Sequence, residues 1–233
     1  MGKRIVSRRR GAGSIFRAPS HKYVAEAKYP NIPEGSGIVK DILHDPGRTA
    51  PIAEIVFENK QTFLPAPEGL KVPQTIMLSE RAPVAVGNIL PLGKIPEGTK
   101  IFNLESQPGD GGKYVRSGGT SATVITQGAK TIVQLPSGKM KAFDPRCRAT
   151  IGIAAGGGRV EKPWYKAGKK YLALRAKAIY YPRVAGVAMN PVAHPYGGGS
   201  HQHVGKHGSV GKGTPPGRKV GKIAPKRTGR RKV

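Results

Sequence analysis

Residues 122–143 read ATVITQGAKTIVQLPSGKMKAF, and this stretch predicts the class of the fold. Polar and apolar residues alternate at 122–126 and again at 131–135, and most of them are Val, Ile or Thr. This alternation is typical of half-buried β-strands. Pro136-Ser137-Gly138 is a turn sequence, and residues 139–143 predict the next strand. The stretch therefore predicts short antiparallel strands joined by tight turns.

Further candidate strands lie on both sides of this stretch, and proline- and glycine-rich turns separate them. A break near Arg81-Ala82-Pro83 divides the strands into two groups, each large enough for a five-stranded barrel. Residues 166–177 (KAGKKYLALRAK) predict one short helix. The predicted fold is therefore mainly β, with small barrels instead of a doubly wound sheet. The other predicted strands are residues 38–43, 52–57, 75–78, 99–104 and 149–154.

The charge of the chain points to a polyanionic partner. The 233 residues include 40 Lys and Arg against 13 Asp and Glu, a formal net charge of +27. Nucleic acid and anionic membranes are the partners that such a balance favours. No apolar run approaches the roughly 20 residues of a spanning helix, and the N-terminus lacks the apolar segment of a signal peptide. Nucleic acid is therefore the predicted partner, with no membrane association.

The positive charge is concentrated at the two ends of the chain. Residues 1–25 hold seven basic residues and residues 162–233 hold 17, without a single acidic residue in either segment. Residues 26–161 hold 16 basic and all 13 acidic residues. Acid-free ends of this kind predict arms that lie against phosphates. Residues 184–233 also contain eleven Gly and five Pro, which predicts a tail that is ordered only by a partner.

Three kinds of residue are predicted to contact RNA. Arginine and lysine bind phosphates, glycines let the backbone approach RNA closely, and histidine and tyrosine stack on bases or donate hydrogen bonds. The N-terminal string Arg8-Arg9-Arg10-Gly11-Ala12-Gly13 contains arginines and glycines. The string from Asn190 to His203 contains glycines, histidines and a tyrosine. The predicted contacts are Arg8, Arg9, Arg10, Arg17, His21, Lys22, Arg48, Lys113, Arg116, Arg159, Arg183, Asn190, His194, Tyr196, Gly197, Gly198, Gly199, His201, His203, Lys206, Arg218, Lys219, Lys226, Arg227 and Arg230.

Metal binding and nucleophilic catalysis are two other chemistries that a histidine-rich segment can support. His201, His203 and His207 have a spacing that allows chelation, but no carboxylate or thiol lies nearby in the sequence to complete a metal site. Ser200 precedes His201, but no third group is present to orient a catalytic base. Neither a metal site nor a cofactor nor a catalytic residue is predicted.

Three further features have ordinary structural interpretations. Ala154-Ala155-Gly156-Gly157-Gly158 lacks the Gly-Lys-Ser/Thr ending of a phosphate loop, so it predicts a sharp turn or close backbone packing against RNA. Arg146 and Arg148 favour a thiolate at Cys147, but a half-buried structural thiol is the preferred interpretation. Trp164 is expected to pack on the end of the second barrel.

Several long strings resemble one protein family. GVAMNPVAHPYGGG (186–199) followed by HQHVGKHG is similar to the C-terminal signature of the universal large-subunit ribosomal protein number two. RRRGAGSIFRA, GIVKDILHDPGR (37–48), VGNILPLGKIPEGT (86–99) and AGGGRVEKP (155–163) resemble the same family. The closing PPGRKVGKIAPKRTGRRK is similar to the archaeal and eukaryotic branch. The resemblance covers nearly the whole chain.

The resemblance implies an OB-like barrel followed by an SH3-like barrel, with basic extensions buried in large-subunit rRNA. The implied organisation is an N-terminal arm (1–33), an OB-like barrel (34–83), an SH3-like barrel (84–161), a helix and connector (162–183) and an RNA-penetrating tail (184–233). His194 matches a family histidine that was proposed to assist peptide transfer. Bacterial members usually carry a second histidine two residues later, where this chain has Tyr196, which weakens any mechanism that needs both rings.

The function expected from the residues and the resemblance together is structural. The chain is expected to be a cytoplasmic, primary rRNA-binding component of the large ribosomal subunit near the peptidyl transferase centre, and not an enzyme. Implied roles are subunit assembly, subunit association and tRNA placement, with neighbouring large-subunit proteins and a bridge to the small subunit as further contacts and no homo-oligomer. The alternatives are a free RNA- or DNA-condensing protein and a histidine-assisted acyl transferase.

Overall fold

The computed structural model describes residues 2–6, 11, 13–58 and 60–227, and its chain divides into two compact units. The core unit spans Pro19–Tyr165. The terminal unit consists of the described residues of 1–18 and 166–233. The domain boundaries expected from the resemblance fall elsewhere along the chain and stay a prediction.

Ten strands of the core unit form one hydrogen-bonded ladder in the order β3-β2-β1-β4-β5-β10-β6-β7-β8-β9. All neighbouring strands pair antiparallel except β4 and β5, which meet in parallel at Leu78 and Ile89. The strands are β1 Gly35–Leu43, β2 Ile52–Phe57, β3 Lys60–Pro65, β4 Thr75–Leu78, β5 Ile89–Pro91, β6 Lys100–Phe102, β7 Ala122–Thr126, β8 Thr131–Gln134, β9 Met140–Phe143 and β10 Arg148–Ile151.

Two hydrophobic cores lie along this ladder, and β5 marks the boundary between them. Ile89 packs into the first core with side chains such as Phe57 and Ile76. Leu90, the next residue, packs into the second core with side chains such as Ile101 and Val124. Successive side chains of a strand point to opposite faces, so one short strand contributes to both cores. Two cores fit the expected pair of small barrels.

The predicted mainly β architecture is confirmed, and a short helix lies at the predicted position. The bounds of β2, β4 and β7 match the predicted strands, and α1 spans Ala167–Arg175 inside the predicted helix. The sequence did not predict β3 or β5, whose short segments end at Pro65 and Pro91. β6 is shorter than predicted because Asn103 takes a left-handed conformation with φ 50°, which ends the extended backbone.

The tail has local structure that its composition did not predict. Two-residue strands β11 (Ser209–Val210) and β12 (Lys222–Ile223) pair in parallel. The amides of Lys222 and Ala224 donate to the carbonyls of Gly208 and Val210 over 2.7 and 2.8 Å. Gly221, at φ 79°, lies so close to Gly208 that a Cβ would be 2.5 Å from its carbonyl oxygen. Glycine at position 221 permits this backbone approach.

Candidate nucleic-acid interface

The two units differ sharply in charge. Residues 1–18 and 166–233 hold 22 Lys and Arg and no acidic residue, whereas residues 19–165 hold 18 basic and all 13 acidic residues. In the core unit, ion pairs such as Arg48–Asp45 and Arg148–Glu105 use part of the positive charge. The terminal unit has no carboxylate side chain with which its cations can pair. The described cations of the terminal unit therefore attract anions more strongly than those of the core unit.

Residues 186–199 form a loop that folds onto itself through backbone hydrogen bonds, here called the 186–199 loop. It begins with the 3-10 helix Gly186–Ala188. The Asn190 carbonyl accepts from the amides of Ala193 and His194, and the Met189 carbonyl accepts from the Gly198 amide over 3.0 Å. This internal bonding gives the loop a defined shape, as Pro191 and Pro195 lead one to expect.

The glycines of the 186–199 loop are required by close contacts within the chain. A Cβ on Gly197 would overlap the carbonyl oxygens of Met189 and Asn190, and one on Gly198 would overlap the Pro191 ring. Gly198 and Gly199 also have φ of 85° and 91°, which L side chains rarely adopt. These glycines thus shape the loop itself, and close approach of RNA to them stays a prediction.

His194 is held in one tautomer by its neighbour. The backbone amide of Tyr196 donates to Nδ1 of His194 over 3.1 Å, so Nδ1 accepts and the neutral ring carries its proton on Nε2. Burial lowers the pKa of His194 below its usual value, which favours this neutral form. A Cβ on Gly186 would overlap the imidazole, so glycine is required beside the ring. His194 therefore presents an N–H donor at Nε2.

Downstream of Gly199, the predicted contacts lie on the surface. His201, His203, Lys206, Arg218, Lys226 and Arg227 are exposed, and Lys219 is half-buried with its Nζ donating to the Lys212 carbonyl over 2.7 Å. Arg17, His21, Lys22, Arg183 and Asn190 are exposed as well. Arg8, Arg9, Arg10 and Arg230 lie outside the described residues. Surface positions suit contact with a polyanion, and the individual RNA contacts stay predictions.

Three predicted contacts of the core unit are turned toward the protein. Arg48 donates to the buried Asp45 carboxylate over 2.8 Å and to the Ala25 carbonyl. Arg116 donates to the carbonyls of Ala27 and Gly112, and burial lowers its pKa. The Arg159 guanidinium stacks on the Trp164 ring, 3.4 Å from its centroid. RNA contact by these arginines would compete with internal bonds, and it too stays a prediction.

Lys113 is another predicted contact of the core unit. Its Nζ lies 3.2 Å from Asp110, and its side chain is 63% exposed. An ion pair this exposed is weak, so the ammonium group can still reach a phosphate.

Comparison with known proteins identifies the family. A model described as "Ribosomal Proteins L2, RNA binding N-terminal domain" matches residues 5–78, and one described as "Ribosomal Proteins L2, C-terminal domain" matches residues 85–218. The chain belongs to the ribosomal protein L2 family. Among its relatives, "Large ribosomal subunit protein uL2" of Methanocaldococcus jannaschii is 55% identical over 242 residues, covering 100% of both chains. The protein of the same name from Methanococcoides burtonii is 54% identical over 237 residues, 99% of this chain and 100% of that protein. These relatives confirm the resemblance to the archaeal-type branch of the L2 family.

The glycine run of this L2 family member packs against its own chain. A Cβ on Gly118 would be 2.6 Å from the Gly156 carbonyl oxygen, and one on Gly119 would be 2.6 Å from the Gly157 Cα. Gly156 itself, at φ 84°, faces the Thr49 carbonyl oxygen. The predicted sharp turn therefore packs on the protein's own backbone, and close approach of RNA to this run stays a prediction.

Cys147 differs from its predicted environment. The residue is fully buried and not half-buried, and burial raises its pKa to about 11. The flanking arginines do not favour a thiolate, because Arg146 pairs with Asp144 and Arg148 with Glu105. The thiol is therefore a small core residue of the second barrel.

Sequence reasoning missed several residues that the structure brings together. Phe16 and Tyr180 are far apart in sequence, yet their ring centroids lie 5.9 Å apart in the terminal unit. Lys170 lies over the Tyr181 ring, 4.9 Å from its centroid. The string Tyr180-Tyr181-Pro182-Arg183, with two aromatic residues beside an arginine, was a usable signal for RNA contact.

The described residues contain no group of three or more His, Cys, Asp or Glu side chains placed to hold a metal ion. None of their helices is long and apolar enough to cross a membrane.

Proposed function

We propose that this protein is a structural, primary rRNA-binding component of the large ribosomal subunit that lies near the peptidyl transferase centre and is not an enzyme. The observation that carries the proposal is the terminal unit, with 22 cations and no acidic residue in a member of the L2 family. A surface of this kind gains most of its affinity from phosphates. The relatives named above are large-subunit proteins, and the same setting in cytoplasmic ribosomes is proposed here.

The two units suit different modes of RNA binding, and this difference supports a structural role. The core unit has two packed cores and only modest excess charge, so it suits docking on folded RNA by shape. The terminal unit supplies the charge that neutralises closely packed phosphates. A protein that binds RNA in both ways stabilises RNA tertiary structure, which is the basis of the proposed roles in assembly, association with the small subunit and tRNA placement. Its further partners are neighbouring large-subunit proteins.

The state of His194 argues against base catalysis. A general base needs a free lone pair within hydrogen-bond reach of the proton that it removes. The Nδ1 lone pair is occupied by the Tyr196 amide, and Nε2 carries the proton of the neutral ring. The ring can donate a hydrogen bond but cannot accept a proton without losing that arrangement. We therefore assign His194 a structural part in peptide-bond formation, as a donor that fixes an RNA turn.

Co-sedimentation tests the proposal. The tagged protein is expressed in cells, and large subunits are isolated through a wash with about 0.5 M salt, at which purely electrostatic contacts are weakened. The expected result is one copy of the protein per large subunit after the wash. A chain without residues 184–233 serves as the matched variant and should be released or fail to assemble. Complete release of the intact protein by the wash would support the free RNA-condensing alternative instead.

A second assay addresses the enzymatic alternative. The purified protein, free of RNA, is incubated with an aminoacyl donor and acceptor. We expect no acyl transfer above the rate in buffer, because the described residues of the terminal unit do not join His194 to a nucleophile. Transfer that is lost in His194→Ala would overturn the non-enzymatic assignment.

A further inference from the structure

Two neighbouring cavities lie in the terminal unit. The first has a volume of about 310 Å³ and is lined by residues that include Ile5, Met189 and His194. The second has a volume of about 460 Å³ and is lined by residues that include Phe16 and Tyr180. Val6 and Arg183 line both cavities, which makes the two adjoining parts of one groove.

The lining of the first cavity mixes apolar side chains with polar atoms, among them one fixed polar group. Ile5 is buried, and Val6 and Met189 provide further apolar surface. The Lys3 amide donates to the Val192 carbonyl over 2.8 Å, which joins the N-terminal residues to the 186–199 loop. The polar group is the Nε2–H of His194, the donor left over once Nδ1 accepts from Tyr196. Apolar side chains beside one placed donor suit a heterocyclic base that has an acceptor on its edge.

The second cavity has an aromatic wall. The Phe16 and Tyr180 rings are tilted by 49° with their centroids 5.9 Å apart. Exposed aromatic side chains beside a cation are the usual surface on which unpaired bases stack. The cavity is larger than the first, and Ala178 and Ile179 add uncharged surface to its described lining.

Arg183 lies where the two cavities meet. Its side chain is exposed, and within the described part of the chain no hydrogen bond or ion pair occupies its guanidinium. A guanidinium between two base-sized cavities is placed to bind the phosphate that links two nucleotides. The terminal unit has no acidic side chain that could compete for it.

We propose that the groove binds two consecutive unstacked nucleotides of single-stranded rRNA, one base in each cavity, with Arg183 on the phosphate between them. The inference rests on the proposed function and specifies one contact within it. In the first cavity, His194 donates to a ring nitrogen or carbonyl of the base. In the second, the base stacks on Phe16 and Tyr180. This contact distinguishes unpaired RNA from paired RNA, whereas the remaining cations of the unit bind any phosphate.

An apolar peptide is the other class of ligand that fits such walls. The observations favour RNA, because an arginine between the cavities, in a unit without acidic side chains, attracts a phosphodiester and offers nothing specific to a neutral peptide.

The test uses the full-length protein and a fluorescent single-stranded hexaribonucleotide, with a hairpin of the same sequence as the paired form. Binding is measured at about 0.3 M salt, where screening weakens exposed charge contacts. Arg183→Gln is compared with Arg175→Gln, which removes the same charge from the same unit but does not line either cavity. Val6→Trp, a third variant, fills the groove from the residue that both cavities share. Circular dichroism checks that each variant is folded.

We expect the wild-type protein to prefer the single strand over the hairpin. Arg183→Gln should weaken single-strand binding about tenfold and Val6→Trp by tenfold or more, as loss of one or two stacked bases and a charged contact predicts. Arg175→Gln should weaken it about twofold or less. Equal effects of the two arginine variants, or a Val6→Trp protein that keeps the preference, would overturn the inference, as would competition by an apolar peptide but not by RNA.

A parallel filter-binding assay with large-subunit rRNA separates this inference from the proposed function. If the variants lose the preference for single strands as expected, both stand. If the wild-type protein binds rRNA but no preference depends on the groove, the inference alone fails. If the wild-type protein does not bind rRNA, the proposed function fails with it.

Discussion

The Arg148 guanidinium makes two hydrogen bonds to Oε1 of Glu105, from Nε over 3.1 Å and from Nη2 over 2.9 Å. The Glu105 side chain is completely buried, and the Arg148 side chain is 17% exposed. The same carboxylate accepts the backbone amides of Gly109, Gly111 and Arg148. Arg148 also donates to the Pro30 carbonyl over 2.9 Å. The buried Glu105 carboxylate thus connects β10 with the 105–111 turn. Through Arg148 it also connects them with the segment around Pro30.

Replacing Glu105 should destabilise the protein strongly. Glu105→Gln leaves Arg148 largely buried without a counter-charge and places amide hydrogens against backbone N–H groups. We expect the free energy of unfolding to fall by about 3 kcal/mol. Denaturation by urea, followed by circular dichroism, measures the change. Glu80→Gln, at an exposed position, serves as the control and should change stability by less than about 0.5 kcal/mol. Equal stability of the two variants would contradict the role assigned to Glu105.

Cys147 should resist thiol reagents in the native protein. The thiol is fully buried and its pKa is raised to about 11, so at pH 8 both access and the thiolate fraction are small. We expect alkylation by iodoacetamide to be at least about a hundredfold slower than in urea-unfolded protein, as measured by mass spectrometry. The rate in the native protein should rise as the pH is raised toward 11. Rapid native labelling at pH 8 would show that the second barrel opens readily.

Limited proteolysis of the RNA-free protein should leave the core unit. Three arginines tie residues 25–30 to the barrels through the carbonyls of Ala25, Ala27 and Pro30. We therefore expect trypsin to remove the N-terminal arm up to about Lys22 and to leave a fragment that ends between 165 and 180. Terminal sequencing and mass spectrometry identify the fragment. Protection of residues 184–227 in the absence of RNA would contradict the prediction that a partner orders the tail.

The tail should account for much of the salt dependence of RNA binding. Deleting residues 184–233 removes ten basic residues. If half of them contact phosphates, the slope of log affinity against log salt concentration should fall by roughly 3–5. The control deletion of residues 228–233 removes only Arg230, Arg231 and Lys232 and should lower the slope by about 1–2. An unchanged slope after the longer deletion would mean that the tail is solvated and not bound.

His194→Gln should be tolerated in peptide transfer. Glutamine keeps an N–H donor and an acceptor for the Tyr196 amide, so we expect assembled subunits with near-normal single-turnover transfer. His194→Ala loses the donor and should impair subunit assembly first. His44→Ala, an exposed histidine of the core unit, is the control and should leave both unchanged. A loss of a hundredfold or more in His194→Gln subunits whose RNA remains correctly folded would indicate acid–base catalysis.

Local patterns predicted most of the longer strands and missed β5, which is very short. Residues 122–126 alternate between apolar and polar side chains except at Ile125, and they form β7 as predicted. β5 has only three residues, and both Ile89 and Leu90 are buried because each faces a different core. Such a strand has no polar face, so its sequence carries no alternation to detect.

The charge composition of the candidate interface could be predicted from the sequence, but the arrangement of its side chains could not. The absence of acidic residues from both ends of the sequence is visible without a structure. The internal roles of Arg48 and Arg116 are not, since an arginine that binds a backbone carbonyl and one that binds a phosphate look alike in a sequence. The groove was also hidden, because Val6 and Arg183 are separated by most of the chain and only the fold brings them together.

The contact between Gly118–Gly119 and Gly156–Gly157 has a genetic consequence. Every missense change of a glycine codon adds at least a Cβ atom. At Gly118 and Gly119 that atom would lie 2.6 Å from the backbone of Gly156 and Gly157, and at Gly156 it would lie 2.7 Å from the Thr49 carbonyl oxygen. Backbone cannot move aside as the end of a flexible side chain can. Even small substitutions at these three positions are therefore severe. In a saturation-mutagenesis library selected for function, the serine and alanine variants there should be depleted as completely as the tryptophan variants.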